Sequence, residues 1–191
     1  MPEQLSFAGF DAAPQPTDRL FFAIYPDPET AARIAGLAGR LRDEHGMKGR
    51  PLAAERLHVT LHHLGDYVGA PRGVVDVAIE AAAAVAKPAF DIVFDRAASF
   101  HGRPRNRPFV LRGGDGVMAF QQALGVAMMK AGLGRWAEQH FTPHVTLLYD
   151  DLCIAEQAIE PVGWTAREFV LVHSLLGRTQ HIPLARWPLG V

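Results

Sequence analysis

Residues 58–61 read His-Val-Thr-Leu, and residues 144–147 repeat the same four letters. Both copies lie in apolar runs typical of β-strands, in which successive side chains point to opposite faces. The histidine and the threonine of each copy therefore share one face, while the valine and the leucine point into the core. Each copy presents an imidazole beside a hydroxyl, and the repetition predicts one composite site built from both copies.

The segments around the two copies follow a similar order, which predicts that one α+β unit is duplicated. In the first half, the pattern predicts a strand at 20–25, a helix from Pro28 to Gly46, the motif strand at 57–64 and a helix at 72–86. In the second half, it predicts strands at 90–94 and 108–111, a helix at 117–131 and the second motif strand from Pro143. A loop around Asp150-Asp151 then precedes strands at 168–175 and 182–187.

Residues 1–18 contain several prolines without sustained periodicity, so we expect a flexible N-terminal arm. The remainder, 19–191, is expected to form a single domain made of two lobes. With 191 residues and 49% hydrophobic content, the chain is long and apolar enough to bury a substantial core.

The chain carries 19 basic and 20 acidic residues, a formal net charge of -1. Proteins that bind along long nucleic acids carry an excess of positive charge, which this chain lacks. An RNA substrate would therefore be short or held at one end. The single cysteine, Cys153, excludes an intramolecular disulfide, and with the lack of a secretory signal it favours the cytoplasm. No apolar stretch approaches the roughly 18 to 20 residues that span a bilayer, so no membrane role is expected.

Two imidazoles and two hydroxyls suit the cleavage of a phosphodiester. The reaction removes a proton from the attacking oxygen and delivers one to the leaving oxygen at the same pH. Histidine exists in both protonation states near neutrality, so one of His58 and His144 can act as base and the other as acid, each contributing about 10²- to 10⁴-fold. Thr60 and Thr146 can donate to phosphate oxygens, and each such hydrogen bond is worth roughly 1.5–3 kcal/mol. This chemistry requires no metal and no cofactor.

These motifs resemble those of the two-histidine (2H) phosphoesterase superfamily, and within it the bacterial RNA 2′,3′-cyclic phosphodiesterases, also called 2′-5′ RNA ligases. The resemblance covers most of the chain and rests on Arg-Leu-Phe-Phe-Ala-Ile at 19–24, Leu-His-Val-Thr-Leu at 57–61, His-Leu-Gly at 63–65 and Phe-Thr-Pro-His-Val-Thr-Leu at 141–147. It implies a bilobal α+β fold with pseudo-twofold symmetry, in which two antiparallel sheets line a central cleft and the helices lie outside. It also implies that His58 donates and His144 accepts a proton when a 2′,3′-cyclic phosphate is opened to a 2′-phosphate, and that Thr60 and Thr146 hold the phosphate.

The second motif departs from the family at its end. Many members continue it with a basic residue, whereas Leu148-Tyr149-Asp150 follows here, so cationic help for the phosphate must come from elsewhere. The candidates are Arg56, Arg103, Arg105, Arg107 and Arg178. The segment 103–107 would contact a nucleic-acid backbone at the cleft mouth, or would simply form a solvated turn. Tyr149 is a further candidate substrate contact, since aromatic side chains stack on bases in RNA recognition.

Two more histidines follow the first motif. By alternation, His62 shares a face with His58 and becomes a candidate cleft residue, whereas His63 points to the other face and is structural. A metal site built from His58, His62 and a carboxylate such as Asp150 is therefore a second hypothesis, although a clear third ligand is lacking.

Three functions remain open from the sequence. The leading one is a metal-independent cyclic phosphodiesterase that acts on RNA ends or small cyclic nucleotides, with reverse 2′-5′ ligation as a side activity. The others are a non-catalytic nucleotide-binding module and a metal-dependent hydrolase. Retention of all four motif residues disfavours the binding module, because binding alone needs no matched acid and base. No obligatory protein partner is evident, and the internal symmetry leaves the order of proton donor and acceptor open to reversal.

Overall fold

A computed structural model describes residues 14–102 and 106–190. The elements, in chain order, are β1 (Asp18–Ile24), α1 (Pro28–Glu44), β2 (Val59–Tyr67), α2 (Arg72–Ala83), β3 (Phe90–Ser99), β4 (Arg107–Gly113), α3 (Met118–Lys130), β5 (His144–Asp150), β6 (Gln157–Ala166), β7 (Glu168–Leu175) and β8 (Gln180–Pro188). Most of the expected N-terminal arm, residues 1–13, lies outside the described residues. Asp18 is buried in β1, so the folded region begins one residue earlier than expected.

The described strands form two antiparallel sheets of four strands each. The first has the order β2-β1-β7-β8 and the second the order β5-β4-β3-β6. The motif strands β2 and β5 occupy matching edges, and each ends the same unit of strand, helix and motif strand, β1-α1-β2 or β4-α3-β5. The predicted α+β class is confirmed. The lobes do not coincide with the two halves of the sequence, however, because β7 and β8 return from the C-terminal end to complete the first sheet.

The helices and both sheets share one continuous hydrophobic core. α1 begins where the Asp27 carboxylate accepts hydrogen bonds from the backbone N–H and the hydroxyl of Thr30, both at 2.9 Å, and Pro28 occupies its first turn. The largest of the fully buried side chains are four phenylalanines, each worth roughly 1.5–3 kcal/mol: Phe22, Phe94, Phe109 and Phe169. None of the described helices is long and apolar enough to span a bilayer.

The opposite face of the first sheet carries a second, smaller apolar cluster. It consists of Phe21, Ala23, Val170 and Val172, with Tyr25 packed against it. Because this cluster lies on the face that Thr60 shares, its apolar side chains pack beside the first motif.

A β-bulge interrupts the first motif strand at Leu61. In the register with β1, Leu61 is an extra residue between Thr60 and His62. An extra residue shifts the alternation of the side chains that follow it. His62 is therefore buried in the core and the exposed His63 lies on the face of Thr60. The expected placement of these two histidines is wrong, because simple alternation does not continue through a bulge.

The second motif strand has a bulge at the equivalent position. Leu147 is the extra residue between Thr146 and Leu148 in the register with β4. Leu147 and Leu148 are consequently both buried, and Tyr149 is exposed. Position by position, the buried His62 corresponds to Leu148 and the exposed His63 corresponds to Tyr149.

Strand β6 lies where the sequence pattern predicts only a loop. Its buried residues alternate correctly at Val162, Trp164 and Ala166, but Pro161 and Gly163 interrupt the apolar pattern. Proline is tolerated here because β6 is an edge strand and donates few ladder hydrogen bonds. Other boundaries also differ from expectation; β3, for example, extends to Ser99 and α2 ends at Ala83.

Candidate active site

The two motif strands border a single cleft of about 590 Å³. The lobes meet beside it, where the backbone N–H of Leu52 donates to the carbonyl of Leu147 at 2.7 Å. Its wall contains the histidines and threonines of both motifs together with Arg19, Phe21, Arg56, His63, Tyr149 and His181. The structure thus brings together the four side chains that the repeated motif predicts will meet.

Both motif histidines are anchored in the same way. Nδ1 of His58 donates to the carbonyl of Arg56 at 2.6 Å, and Nδ1 of His144 donates to the carbonyl of Thr142 at 2.7 Å. In each case the acceptor lies two residues earlier in the chain. A carbonyl oxygen only accepts, so each neutral ring carries its proton on Nδ1 and leaves Nε2 for proton transfer.

The threonine of the first motif lies within hydrogen-bond distance of its histidine. Nε2 of His58 and Oγ1 of Thr60 are 3.1 Å apart. Thr146 lines the same cleft and is partly exposed. Both hydroxyls can therefore reach an anion bound between the two imidazoles.

Aromatic rings enclose His58. Phe21 stacks on its ring at 5.0 Å between centroids, Tyr25 tilts against it at 5.5 Å, and His181 meets it edge-on at 5.2 Å. This burial, together with the positive charges that His181, His144 and Arg56 can carry, lowers the pKa of His58 to about 3. In the free protein, His58 is thus a neutral imidazole at physiological pH.

His144 lies in a more open environment. The aromatic ring nearest to it is Phe100, in a T-shaped contact at 5.0 Å. Arg112 covers Phe100 with its guanidinium 5.8 Å from the ring centroid, and its charge is paired with Glu156. Burial lowers the pKa of His144.

Among the arginines proposed from the sequence, Arg56 reaches the cleft. Its Nε is buried, and in the described part of the chain it has no hydrogen-bond partner. Arg107 instead bonds the carbonyl of Asp151, and Arg178 is exposed in the turn between β7 and β8 and does not line the cleft. Arg103 and Arg105 lie outside the described residues. Tyr149 does line the cleft, and 45% of its surface is exposed.

The side chain of His62 is buried in the core and does not line the cleft. Its Nε2 donates to the carbonyl of Gln121 at 3.0 Å, and its Nδ1 accepts from the backbone N–H of Glu138 at 3.0 Å. Gly125 of α3 lies against the ring, and a Cβ there would come within 3.2 Å of Cε1 of His62. The histidine therefore ties β2 to α3 and to the segment that leads into the second motif.

The carboxylate of Asp150 also makes its hydrogen bonds outside the cleft. One carboxylate oxygen accepts from the backbone N–H groups of Lys48 and Gly49 at 2.7 and 2.6 Å, and the other accepts from that of Leu152. The metal site proposed from His58, His62 and Asp150 does not assemble. Within the ranges described, no three histidine, cysteine or carboxylate side chains cluster closely enough to hold a metal ion.

Several residues that line the cleft are not predicted by the sequence patterns. His181 lies in β8, far along the chain from either motif, and its Nδ1 is 3.1 Å from the hydroxyl of Tyr25. Arg19 forms two hydrogen bonds of 2.7 Å with Asp66, which also meets His63 at 3.0 Å. The alternation of β1 already places Arg19 on the face of Phe21 and could have indicated it, whereas no local pattern marks His181.

Comparisons with known proteins agree with this geometry. Residues 24–110 match the model of the family described as LigT like Phosphoesterase. The RNA 2′,3′-cyclic phosphodiesterase of Escherichia coli (strain K12) is 30% identical over 182 residues, which cover 90% of this chain and 96% of that protein. The crystal structure of E. coli LigT complexed with ATP matches with a TM-score of 0.69 and 26% identity, covering 93% of this chain and all of that one. The protein TT0787 of Thermus thermophilus has a TM-score of 0.71 at 20% identity over 90% of this chain and 97% of its own, a likeness of fold.

Proposed function

Because this chain belongs to the LigT-like phosphoesterase family, we propose that it opens 2′,3′-cyclic phosphates, at RNA ends or on small nucleotides, to 2′-phosphates. The observation that carries this proposal is the pair of backbone-anchored imidazoles that share one cleft, each accompanied by a threonine hydroxyl. The name of the E. coli relative supports the cyclic phosphate, and the ATP complex of LigT supports a nucleotide ligand.

The cleft supplies each requirement of this reaction. One Nε2 takes the proton of an attacking water while the P–O3′ bond breaks, and the other Nε2 donates a proton to the leaving oxygen. The hydroxyls of Thr60 and Thr146 and the guanidinium of Arg56 can stabilise the charge that grows on the non-bridging oxygens. Its volume of about 590 Å³ lies in the range of nucleotide-sized pockets and suits one terminal nucleotide better than a long strand.

The test uses an oligonucleotide that ends in a 2′,3′-cyclic phosphate, with the product identified by mass and by sensitivity to phosphatase. We expect a terminal 2′-phosphate. His58→Ala and His144→Ala should each lower kcat by at least about 10², whereas the matched control His140→Ala removes an exposed histidine that lies outside the cleft lining and should match wild type. If either motif variant turned over like wild type, the two-histidine assignment would be wrong.

The same experiment separates the other functions. A nucleotide-binding module would retain the oligonucleotide without converting it. A metal-dependent hydrolase would lose activity in EDTA and regain it with a divalent cation, whereas the proposed chemistry is unaffected by the chelator. Ligation is checked by adding an RNA with a free 5′-hydroxyl and looking for a 2′-5′ linkage, which forms when that hydroxyl replaces water as the nucleophile and O3′ leaves, with the same acid and base.

A further inference from the structure

The cleft continues along the first sheet beyond the motif side chains. Phe21 stacks on His58, and Arg19 lies on the same face of β1, two residues earlier and therefore about 7 Å along the strand. Arg19, His63 and Ser174 line this part of the cleft. Among the described residues, no carboxylate lines the cleft wall. The cleft thus has a second polar region, separate from the pair of imidazoles.

The guanidinium of Arg19 is held in a fixed orientation. Its Nε and Nη2 donate to the two carboxylate oxygens of Asp66, both at 2.7 Å, in the bidentate geometry that arginine forms with carboxylates. Hydrogen bonding from Arg19 lowers the pKa of Asp66 to about 2, so the carboxylate stays ionised near neutral pH and keeps this hold. Arginine carries five N–H donors, and the two bonds to Asp66 leave three of them for a ligand.

These remaining donors suit an anion that makes direct contact. A guanidinium paired with a carboxylate attracts little at long range, but its free N–H groups still donate charge-assisted hydrogen bonds at close range. Ser174 lies beside Arg19 in the register of β7, and its hydroxyl can add a further donor to the same wall. A phosphodiester, with two non-bridging oxygens that share one negative charge, matches this set of donors.

The other direction out of the cleft suits a phosphate less well. His181 lines both the cleft and a second cavity of about 710 Å³. Asp27, Glu55 and Glu168 line that cavity, and one of its two guanidiniums, that of Arg186, is paired with Glu168. A phosphodiester that left the cleft on this side would meet an excess of negative charge, which disfavours it.

We propose that Arg19, held by Asp66, binds the phosphodiester on the 5′ side of the terminal nucleotide while the cyclic phosphate lies between His58 and His144. The inference deepens the proposed function and rests on it. O3′ and O5′ of one ribose are joined through C3′, C4′ and C5′, a span comparable with the distance from Phe21 to Arg19 along the strand. Arg19 is then a specificity-determining residue, which favours the end of an RNA chain over a nucleoside 2′,3′-cyclic phosphate that lacks a 5′ phosphate.

Binding of a reaction product measures this contact without requiring turnover. The ligand is the dinucleotide ApA ending in a 2′-phosphate, and the comparison ligand carries an uncharged methylphosphonate in place of the internal phosphodiester. By calorimetry, we expect wild type to bind the phosphodiester at least about 10-fold more tightly, because the neutral linkage loses the charge-assisted hydrogen bonds. Arg19→Met should weaken binding of the phosphodiester and reduce this ratio to less than about 3-fold.

Arg186→Met is the matched control, because it removes a guanidinium that is also paired with a carboxylate but lines the other cavity. It should keep the wild-type ratio. Loss of the ratio in Arg186→Met would place the 5′ side in that cavity and overturn the proposal. The proposal is also wrong if wild type binds the two ligands equally, or if Arg19→Met keeps the preference for the phosphodiester.

Turnover separates this contact from the proposed function. With the same two dinucleotides ending in a 2′,3′-cyclic phosphate, Arg19→Met should raise KM for the phosphodiester by at least about 10-fold and leave kcat within about 3-fold, since the contact is present in ground state and transition state alike. A wild-type protein that binds with the expected ratio but opens neither substrate would contradict the proposed function while supporting the contact of Arg19. One that opens both with equal kcat/KM would contradict the contact alone, and one that neither binds nor opens them would contradict both.

Discussion

The two motif strands are alike in backbone and unlike in surroundings. Each ends a strand-helix-strand unit, anchors its histidine to the carbonyl two residues back, and has a bulge at the motif leucine. Within the described residues, however, three rings and the guanidinium of Arg56, which no described carboxylate pairs, lie around His58, whereas one ring and an ion pair lie beside His144. The duplicated backbone thus places two imidazoles equivalently, while single side chains give the two rings different surroundings.

The strongest test removes the cation near each motif histidine in turn, first Arg56 and then Arg112. Arg56→Met removes a charge that no carboxylate of the described residues pairs and that can contact the phosphate in the transition state, so kcat/KM should fall by about 10². Arg112→Met removes a charge already paired with Glu156 and should change kcat/KM by less than about 3-fold. Steady-state kinetics on adenosine 2′,3′-cyclic phosphate measure both. Equal losses would mean that the two sides of the cleft are electrostatically equivalent after all.

The next test uses the corresponding core positions His62 and Leu148. His62→Leu installs the residue that the second copy already carries, but it leaves the carbonyl of Gln121 and the N–H of Glu138 without their partner. We expect the free energy of unfolding to fall by at least about 2 kcal/mol, because unsatisfied buried groups are costly. Urea denaturation monitored by circular dichroism measures this.

His63→Leu is the matched control for that variant, since the His63 side chain is exposed and, among the described residues, bonds Asp66 alone. Its stability should remain within about 0.5 kcal/mol of wild type. If the two variants were equally stable, the hydrogen bonds of His62 would contribute nothing to the tie between β2 and α3.

Acid should weaken the fold through His62. Burial lowers the pKa of His62, so the unfolded chain takes up a proton at higher pH than the folded chain does. The stabilising contribution is complete above about pH 6.5 and is lost as the pH falls below that value, by at most about 1.4 kcal/mol per pH unit for each such histidine. Unfolding free energies measured from pH 8 to pH 5 should fall less steeply in His62→Leu than in wild type; parallel curves would contradict the assignment.

The smallest expected effect comes from making the second site resemble the first. Tyr149→Arg adds a cation on the side of His144, so KM for the cyclic phosphate should fall by about 3- to 10-fold. Steady-state kinetics on adenosine 2′,3′-cyclic phosphate would record this change, and an unchanged KM would show that Tyr149 lies too far from the phosphate to matter.

Alternation along the strands predicted that the histidine and the threonine of each motif lie on one face, because these two residues flank a single valine. The repetition of the motif predicted that the two pairs meet in one cleft. Alternation failed for His62 and His63, since a bulge depends on the register with a partner strand and leaves no local mark in the apolar pattern. Strand β6 was missed because an edge strand can carry Pro161 and Gly163 without penalty. His181 was missed because its neighbourhood is created by tertiary structure alone.

The return of β7 and β8 to the first sheet has a consequence for biosynthesis. A ribosome makes both motifs before the strands β7 and β8 that complete the first sheet, and His181 is made after both motifs. The nascent chain can assemble the second sheet, β3 to β6, from consecutive strands, but the first sheet must wait for a contact between strands that are far apart in sequence. The surroundings of His58 are therefore completed only after β8 has been made.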